Sequence, residues 1–367
     1  MAIEGRYENN RRPSARRRKI RMRIKITILV VEVLALAVLT AALYLVTRLQ
    51  LIQQDPSFEG TKIEQNELDN EVVEKLKGYT TIALVGLDNR TEGTYKAGNA
   101  DSIIVMSINN DTGEIRMASV YRDTYLQITS DGRFEKVNAS YNLYGAKGLV
   151  ETLNRNLDLA IEDYVAVDWY ALANTIDLLG GVEIEISAAE ANIINSMINS
   201  IKLETNGVLQ TDRVAKEGLN ELDGVQALAY ARIRSLSGYD YARTQRQRLV
   251  IEKMMEKAKT VSVGTLVGII NEVFPAIATS LTTQEIITLA SGITSYQLTE
   301  TTGFPEKRGQ AEDDRLYAYI IPVSLLTNVE DLHLFLYGNE KYVPSTQLQN
   351  ISNKIIFNTG VAPEDDE

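Results

Sequence analysis

Cysteine is absent from the 367-residue chain, and histidine occurs once, at His333. The first absence removes thiolate nucleophiles, disulfides, Cys-ligated zinc and iron–sulfur clusters, and the second leaves too few imidazoles for most catalytic zinc sites. Any metal must therefore be held mainly by oxygen. Also missing are a Gly-x-x-x-x-Gly-Lys phosphate loop, a Gly-x-Ser-x-Gly elbow, a His-Glu-x-x-His helix and a dinucleotide fingerprint. What is present is ordinary for a folded protein: 44% apolar and 24% charged residues.

Charge is unevenly spread. Residues 1–25 carry eight Arg, two Lys and two Glu, a balance of +8. Glu32 and Arg48 cancel, so the net −11 of the whole chain leaves −19 for Leu49 onward. Between these parts runs an apolar stretch, 26–46, whose only ionisable side chain in the apolar interior is Glu32. At about 1.5 Å per residue it is long enough to cross a hydrocarbon core of roughly 30 Å. The sequence thus predicts a basic cytoplasmic arm (1–25), one transmembrane helix (26–48) and residues 49–367 outside the cell membrane, by the positive-inside rule. Arginines beside a span are accounted for by orientation and anionic lipid, so no nucleic-acid partner is expected.

Residues 49–78 read as a polar stalk ending in a short amphipathic helix with Leu68, Val72, Val73 and Leu76 on one side. Strands are expected at 80–86, 102–108, 114–120, 164–167 and 182–186, and helices at 146–157 and 169–179. Alternating strands and helices imply an α/β domain, with helices on both faces of a sheet. Its core is expected over 79–260, with 261–361 packed on or extending it and 362–367 as an acidic tail.

Four places could carry chemistry. Asp88 closes a strand and Asp101 opens the next; two carboxylates without His or Cys suit a hard cation such as Mg²⁺, or Mn²⁺, that takes its remaining ligands from phosphates. The competing reading is a pair of turn aspartates. Arg122 and Asp123 follow a further strand. If 230–234 is extended, Arg232 and Arg234 share a face; if Asp240 caps a helix, Arg243 and Gln247 share one too. Guanidiniums converging near a helix N-terminus would grip a pyrophosphate. Arg246 and Arg248 read as a solvated helix face. A divalent cation, an arginine clamp and a location outside the membrane suffice for phosphoryl transfer from a bilayer-embedded phosphate ester.

Six segments, TIALVGLDNR, NADSIIVMSI, SVYRDTYLQI, KVNASYNLYGAKGLVETLN, DLLGGVEIEI and ELDGVQALAYARIR…GYDYARTQRQ, occur in the order found in the LytR–CpsA–Psr family, which the chain resembles over roughly 80–259. The resemblance implies an αβα sandwich with a central mixed β-sheet. It also implies a membrane-anchored phosphotransferase that moves an anionic glycopolymer, such as teichoic acid or capsule, from a polyprenyl-pyrophosphate carrier onto peptidoglycan. Carried over by motif, Asp88 and Asp101 would hold Mg²⁺, and Arg122, Arg232, Arg234, Arg243 and Gln247 would bind the pyrophosphate. A polyprenyl tail would lie in an apolar tunnel drawn from segments such as 149–159 and 170–179. Asp123 and Asp240 are the acid–base candidates beside Arg122. Val120-Tyr121 replace the family's usual Ile-Pro before Arg122. A polyprenyl-pyrophosphate phosphohydrolase and a non-catalytic polyprenyl-lipid-binding regulator remain alternatives.

Overall fold

A computed structural model describes residues 51–58, 62–89, 95, 98–236, 239–311 and 313–363, together with helical positions 36, 40, 43, 44 and 47–49. The expected span at 26–48 lies outside the described residues except at those positions, as do the arm 1–25 and residues 364–367. No helix among the described residues is long and apolar enough to cross a membrane.

From residue 51 the chain forms β1 (Gln53–Gln54), α1 (Asn70–Lys77), β2 (Tyr79–Leu87), β3 (Ala100–Asn109), β4 (Glu114–Val120), β5 (Tyr125–Gln127), β6 (Phe134–Lys136) and α2 (Val137–Leu157). There follow β7 (Asp163–Val167), α3 (Trp169–Leu178), β8 (Val182–Ile186), α4 (Ala188–Glu204), β9 (Gly218–Leu222), α5 (Gly224–Ala231), α6 (Tyr239–Ala258) and α7 (Val263–Glu272). The last part contains β10 (Ile277–Thr279), α8 (Thr283–Ser291), β11 (Gln297–Phe304), β12 (Arg308–Gly309), β13 (Ile321–Pro322), α9 (Leu325–Tyr337) and α10 (Thr346–Thr359).

Seven strands make a mixed sheet in the order β1-β10-β7-β2-β3-β4-β11. β3 runs antiparallel to β2 and β4, whereas β7 is parallel to β2 and β11 is parallel to β4. Alternation along each strand feeds two cores. Ala83, Val85, Ile103, Val105, Ala118 and Val120 meet Leu149 and Leu153 of α2 and Val329 and Leu332 of α9 on one face. Ile104, Ile108, Ile115 and Met117 meet Ile251 and Met255 of α6 on the other. A separate cluster joins Tyr170 and Ala173 of α3 to α4, α5, β8 and β9. The two segments expected to line a tunnel, 149–159 and 170–179, therefore belong to different apolar clusters.

One helix differs from expectation in extent. The helix expected from residue 146 begins at Val137, and Gly145, at φ 70° and ψ −168°, kinks it between the halves. Only the half beyond the kink carries the apolar spacing that the sequence reading used. Residues 188–204, polar on several sides, form α4, started by a capping box between Ser187 and Glu190.

A buried polar knot ties the first segment to the last. Asp158, in a left-handed conformation at the end of α2, accepts hydrogen bonds from Asn66 (2.6 Å), from the Tyr342 hydroxyl (2.5 Å) and from the Ser345 amide (2.7 Å) and hydroxyl (2.6 Å). Beside it, fully buried His333 stacks on Tyr342 at 3.9 Å, with Nε2 2.9 Å from the Leu157 carbonyl. Burial pushes the imidazole pKa down to about 4. The unfolded chain, with an ordinary histidine near 6.5, then binds more protons than the folded chain between about pH 4 and 6.5. Stability must fall as pH drops through that window, by up to about 1.4 kcal/mol per unit. Urea unfolding of wild type and His333→Phe should show a shallower pH slope in the variant, and identical slopes would contradict the assignment.

Candidate functional site

The topology gathers the candidate residues on one edge of the sheet. β2, β7, β4 and β11 all end there and β3 begins there, so Asp88, Trp169, Arg122 and Asp101 arrive from different strands at one crevice. Asp101 occupies a β-bulge. Gly86 pairs with Ser102 and Leu87 with Ala100, leaving Asp101 as the extra residue, which re-aims its side chain. Gly86 is required at this step, because a Cβ there would lie 2.9 Å from that of Ser102.

Arg122 is set by the tight turn that follows β4. The Tyr121 amide donates to the Phe304 carbonyl (2.9 Å), and the Thr124 amide returns to the Tyr121 carbonyl (2.9 Å). From this turn the Arg122 guanidinium reaches Asp101 at 2.6 Å, Asp123 at 3.3 Å and Asp240 at 3.9 Å. Lys136 holds the second oxygen of Asp123 at 3.0 Å. Burial alone would lower the Arg122 pKa, but Asp101, with Asp123 and Asp240, outweighs it and raises the pKa above the ordinary value.

Residues 230–234 are not extended. An Asp223–Gln226 capping box starts α5, an almost wholly apolar helix of about two turns that packs as buried helix, and Arg232 is its C-cap. Arg232 and Arg234 consequently reach in different directions. Arg232 lies over the Trp169 ring at 3.7 Å and meets Glu204 at 3.4 Å, while Arg234 reaches Asp101 at 3.0 Å. Trp169 escaped the sequence reading, although it is the only tryptophan and sits just past the end of β7.

Asp240 stands in the first turn of α6. Arg243, 1% exposed, extends from that helix to the Asp240 carboxylate and the Asp101 carbonyl, both at 3.2 Å. Gln247 follows one turn later, as expected for i and i+4. The expectation of a solvated face at Arg246 and Arg248 is overturned. Arg246 is paired with Glu190 of α4 at 2.9 Å, and Arg248 is 4% exposed. Helix α6 packs on α5 and β8 on one side and on β4 and β11 on another, and Arg246 ties it to α4, so charge on several of its faces is buried.

Asp101 thus joins Arg122, Arg234 and Arg243, and Asp240 joins Arg122 and Arg243. Several buried atoms remain without a hydrogen-bond partner among the described residues: Arg232 Nη1, Arg243 Nε and Nη1, Gln247 Oε1 and Asp240 Oδ2. Burial pulls the pKa values of Arg232 and Arg243 down; Glu204 opposes this at the first and Asp240 at the second. Buried guanidinium N–H groups without acceptors are costly unless an anion meets them.

The candidate metal-ligating side chains, Asp88 and Asp101, offer only carboxylate oxygens, a donor type that suits a hard cation. No group of three or more His, Asp or Glu among the described residues could hold a metal by itself. Asp88 and Asp101, from the facing ends of β2 and β3, would therefore leave a cation to draw most of its ligands from substrate phosphates. Asp101 is at present shared by two guanidiniums, so cation binding would compete with Arg122 and Arg234.

The LytR_cpsA_psr family matches residues 47–331. Among curated proteins, the chain is 29% identical over 247 residues to the Halalkalibacterium halodurans polyisoprenyl-teichoic acid-peptidoglycan teichoic acid transferase TagU, covering 66% of this chain and 74% of that relative. It is 29% identical over 231 residues to the Enterococcus faecalis protein of the same description, covering 63% and 68%. A crystal structure of a Streptococcus agalactiae protein has the same fold, with a TM-score of 0.59 at 22% identity over 76% of this chain and 94% of the other.

The Arg246–Glu190 pair provides a test of the helix packing. Each partner is largely buried, and a charge-assisted bond of this kind contributes about 1.5–3 kcal/mol. A double-mutant cycle with Arg246→Ala and Glu190→Ala, read by urea unfolding, should return a coupling above about 1 kcal/mol. A coupling near zero would restore the solvated-face reading.

Proposed function

The chain belongs to the LytR_cpsA_psr family, and on that premise we propose that it transfers an anionic glycopolymer from a polyprenyl-pyrophosphate carrier to peptidoglycan through a phosphodiester. The observation that carries this reading is the set of buried, acceptor-less N–H groups on Arg232 and Arg243 beside Arg122 and Arg234. A pyrophosphate supplies the missing acceptors. Support also comes from relatives described as teichoic acid transferases, of which the chain covers 74% and 68%.

In the reaction, an acceptor hydroxyl attacks the phosphorus that carries the glycan. A new P–O bond forms, the P–O–P bridge breaks, and polyprenyl monophosphate departs with the bridging electron pair. Arg122, Arg232, Arg234 and Arg243 orient the pyrophosphate and disperse its charge, as phosphoryl transfer chiefly requires. Gln247, one turn from Arg243, offers its amide to a phosphate oxygen. Asp240, whose Oδ2 is buried and makes no hydrogen bond, receives the hydroxyl proton; Asp123 is held more tightly, between Arg122 and Lys136. Asp88 and Asp101 would hold Mg²⁺, or Mn²⁺, which neutralises pyrophosphate charge when bound. In this reading the αβα sandwich stands outside the cell membrane, anchored by the apolar segment at 26–48.

Incubating the protein with a lipid-linked pyrophosphate donor and oligomeric peptidoglycan separates the alternatives: conjugate for a transferase, hydrolysed donor for a phosphohydrolase, unchanged donor for a lipid-binding regulator. Conjugate is the expected product. Asp88→Ala and Asp101→Ala should each abolish its divalent-dependent formation, with a melting temperature close to wild type for Asp88→Ala and a lower one for Asp101→Ala, which also strips Arg122 and Arg234 of their counter-charge. Turnover that survives both changes, or needs no metal, would remove the cation from the account.

A further inference from the structure

One residue upstream of Arg122 and one downstream of Asp240, the side chains leave the pyrophosphate cluster and build a second one. Tyr121 and Tyr241 approach each other with ring centres 6.3 Å apart. Arg308, on β12 just past the end of β11, lies over both rings, at 5.4 Å from Tyr121 and 5.6 Å from Tyr241. Tyr121 is 1% exposed and Tyr241 42% exposed, so the assembly is rooted in the fold and open on one side. Its base depends on Gly303, where any side chain would collide with the Tyr121 hydroxyl.

The charge of this cluster is not balanced. Among the described residues Arg308 has no carboxylate within ion-pair distance; it turns to the Tyr121 hydroxyl and, at a long 3.5 Å, to the Pro305 carbonyl. Arg248, two turns along α6 from Tyr241, is 96% buried by its 4% exposure, and its Nε and Nη1 have no acceptor. Burial lowers the Arg248 pKa, and only the oxygens of Tyr121 and Tyr241 oppose that shift. Those same tyrosines face Arg308, so the charges of both guanidiniums act on the same two phenols. In a body that carries −19, the pyrophosphate-side arginines are matched by Asp101, Asp123 and Asp240, whereas this pair is not. A buried charge left without a counter-charge is unfavourable enough to mark a place where an anion binds. Exposed tyrosine and guanidinium planes add flat surfaces on which a sugar or polyol unit can stack.

We propose that Arg308 and Arg248, with the rings of Tyr121 and Tyr241, form a second anion-binding subsite that holds a phosphate- or carboxylate-bearing glycan unit next to the pyrophosphate. The identity of that ligand rests on the transferase reading; the existence of the subsite does not. An anionic unit could come from the donor polymer, as a phosphate in its chain, or from the acceptor, as a carboxylate on the peptidoglycan strand. In either case Arg308 selects anionic over neutral glycan, and Tyr121, where the family usually has proline, is part of that selectivity.

Calorimetric titration of the full chain in detergent tests this, with a glycerol-phosphate oligomer as donor probe and a carboxylate-bearing glycan strand as acceptor probe. Arg308→Gln should weaken at least one of them by about 10-fold or more, the scale of a lost charge-assisted bond, and Arg308→Lys by less. Loss confined to the phosphate oligomer assigns the subsite to the donor, and loss confined to the carboxylate strand assigns it to the acceptor. A soluble prenyl pyrophosphate should bind wild type and Arg308→Gln equally. If wild type binds an anionic probe in an Arg308-dependent way but not the prenyl pyrophosphate, the transferase reading fails and the subsite stands. Equal affinity of wild type and Arg308→Gln for both anionic probes, or no binding of either by wild type, overturns the proposal. Arg308 is exposed, so the variant should melt with wild type.

Discussion

Crowding several guanidiniums at one partly buried sheet edge is the constraint from which the rest of the site follows. Two like charges about 4 Å apart repel by roughly 4 kcal/mol at the effective dielectric of a protein surface, so such a cluster cannot be assembled without counter-charges. Asp101 and Asp240 supply them. The bulge that frees Asp101 from the β2–β3 ladder lets its carboxylate reach Arg122 and Arg234 while its carbonyl takes Arg243. Asp240 bridges Arg122 and Arg243 from the first turn of α6. The arginines are therefore held charged and oriented before a substrate arrives.

Substrate binding in such a site exchanges partners and creates little new charge. On the proposed function, a pyrophosphate would replace carboxylate contacts and also reach N–H groups that no carboxylate satisfies, on Arg232 and Arg243. The carboxylates released in that exchange would become available to a cation or to a proton, so that one small set of residues would bind, neutralise and deprotonate. Trp169 beneath Arg232 adds stiffness, since a guanidinium stacked at 3.7 Å has few other orientations. Preorganised charge of this kind acts on a transition state without reorganising when it forms.

Much of this was legible from strand ends. Runs rich in Val and Ile located β2, β3 and β4, and the residues immediately outside them, Asp88, Asp101 and Arg122, lie at the crevice. Helix α6 was harder to read. It places Asp240, Arg243 and Gln247 at the site, Arg246 against α4, and Arg248 in the interior, so it buries charge in several directions and presents no single apolar stripe. A periodicity argument sees such a helix as solvated. Helix α5 was misread for a related reason: eight mostly apolar residues carry no period that separates strand from helix, and the capping box at Asp223 was the local signal that decides. The bulge at Asp101 depends on strand pairing and has no signature in the one sequence.

The central claim is that the unsatisfied N–H groups of the buried arginines exist to receive a pyrophosphate. Its most direct test is the calorimetric affinity of a soluble prenyl pyrophosphate for wild type and for Arg243→Lys, which keeps the charge but lacks the Nε and second-nitrogen donors. Loss of roughly 1.5–3 kcal/mol, about 10- to 150-fold in affinity, is expected with the melting temperature little changed. Equal affinity in the two proteins would contradict the account.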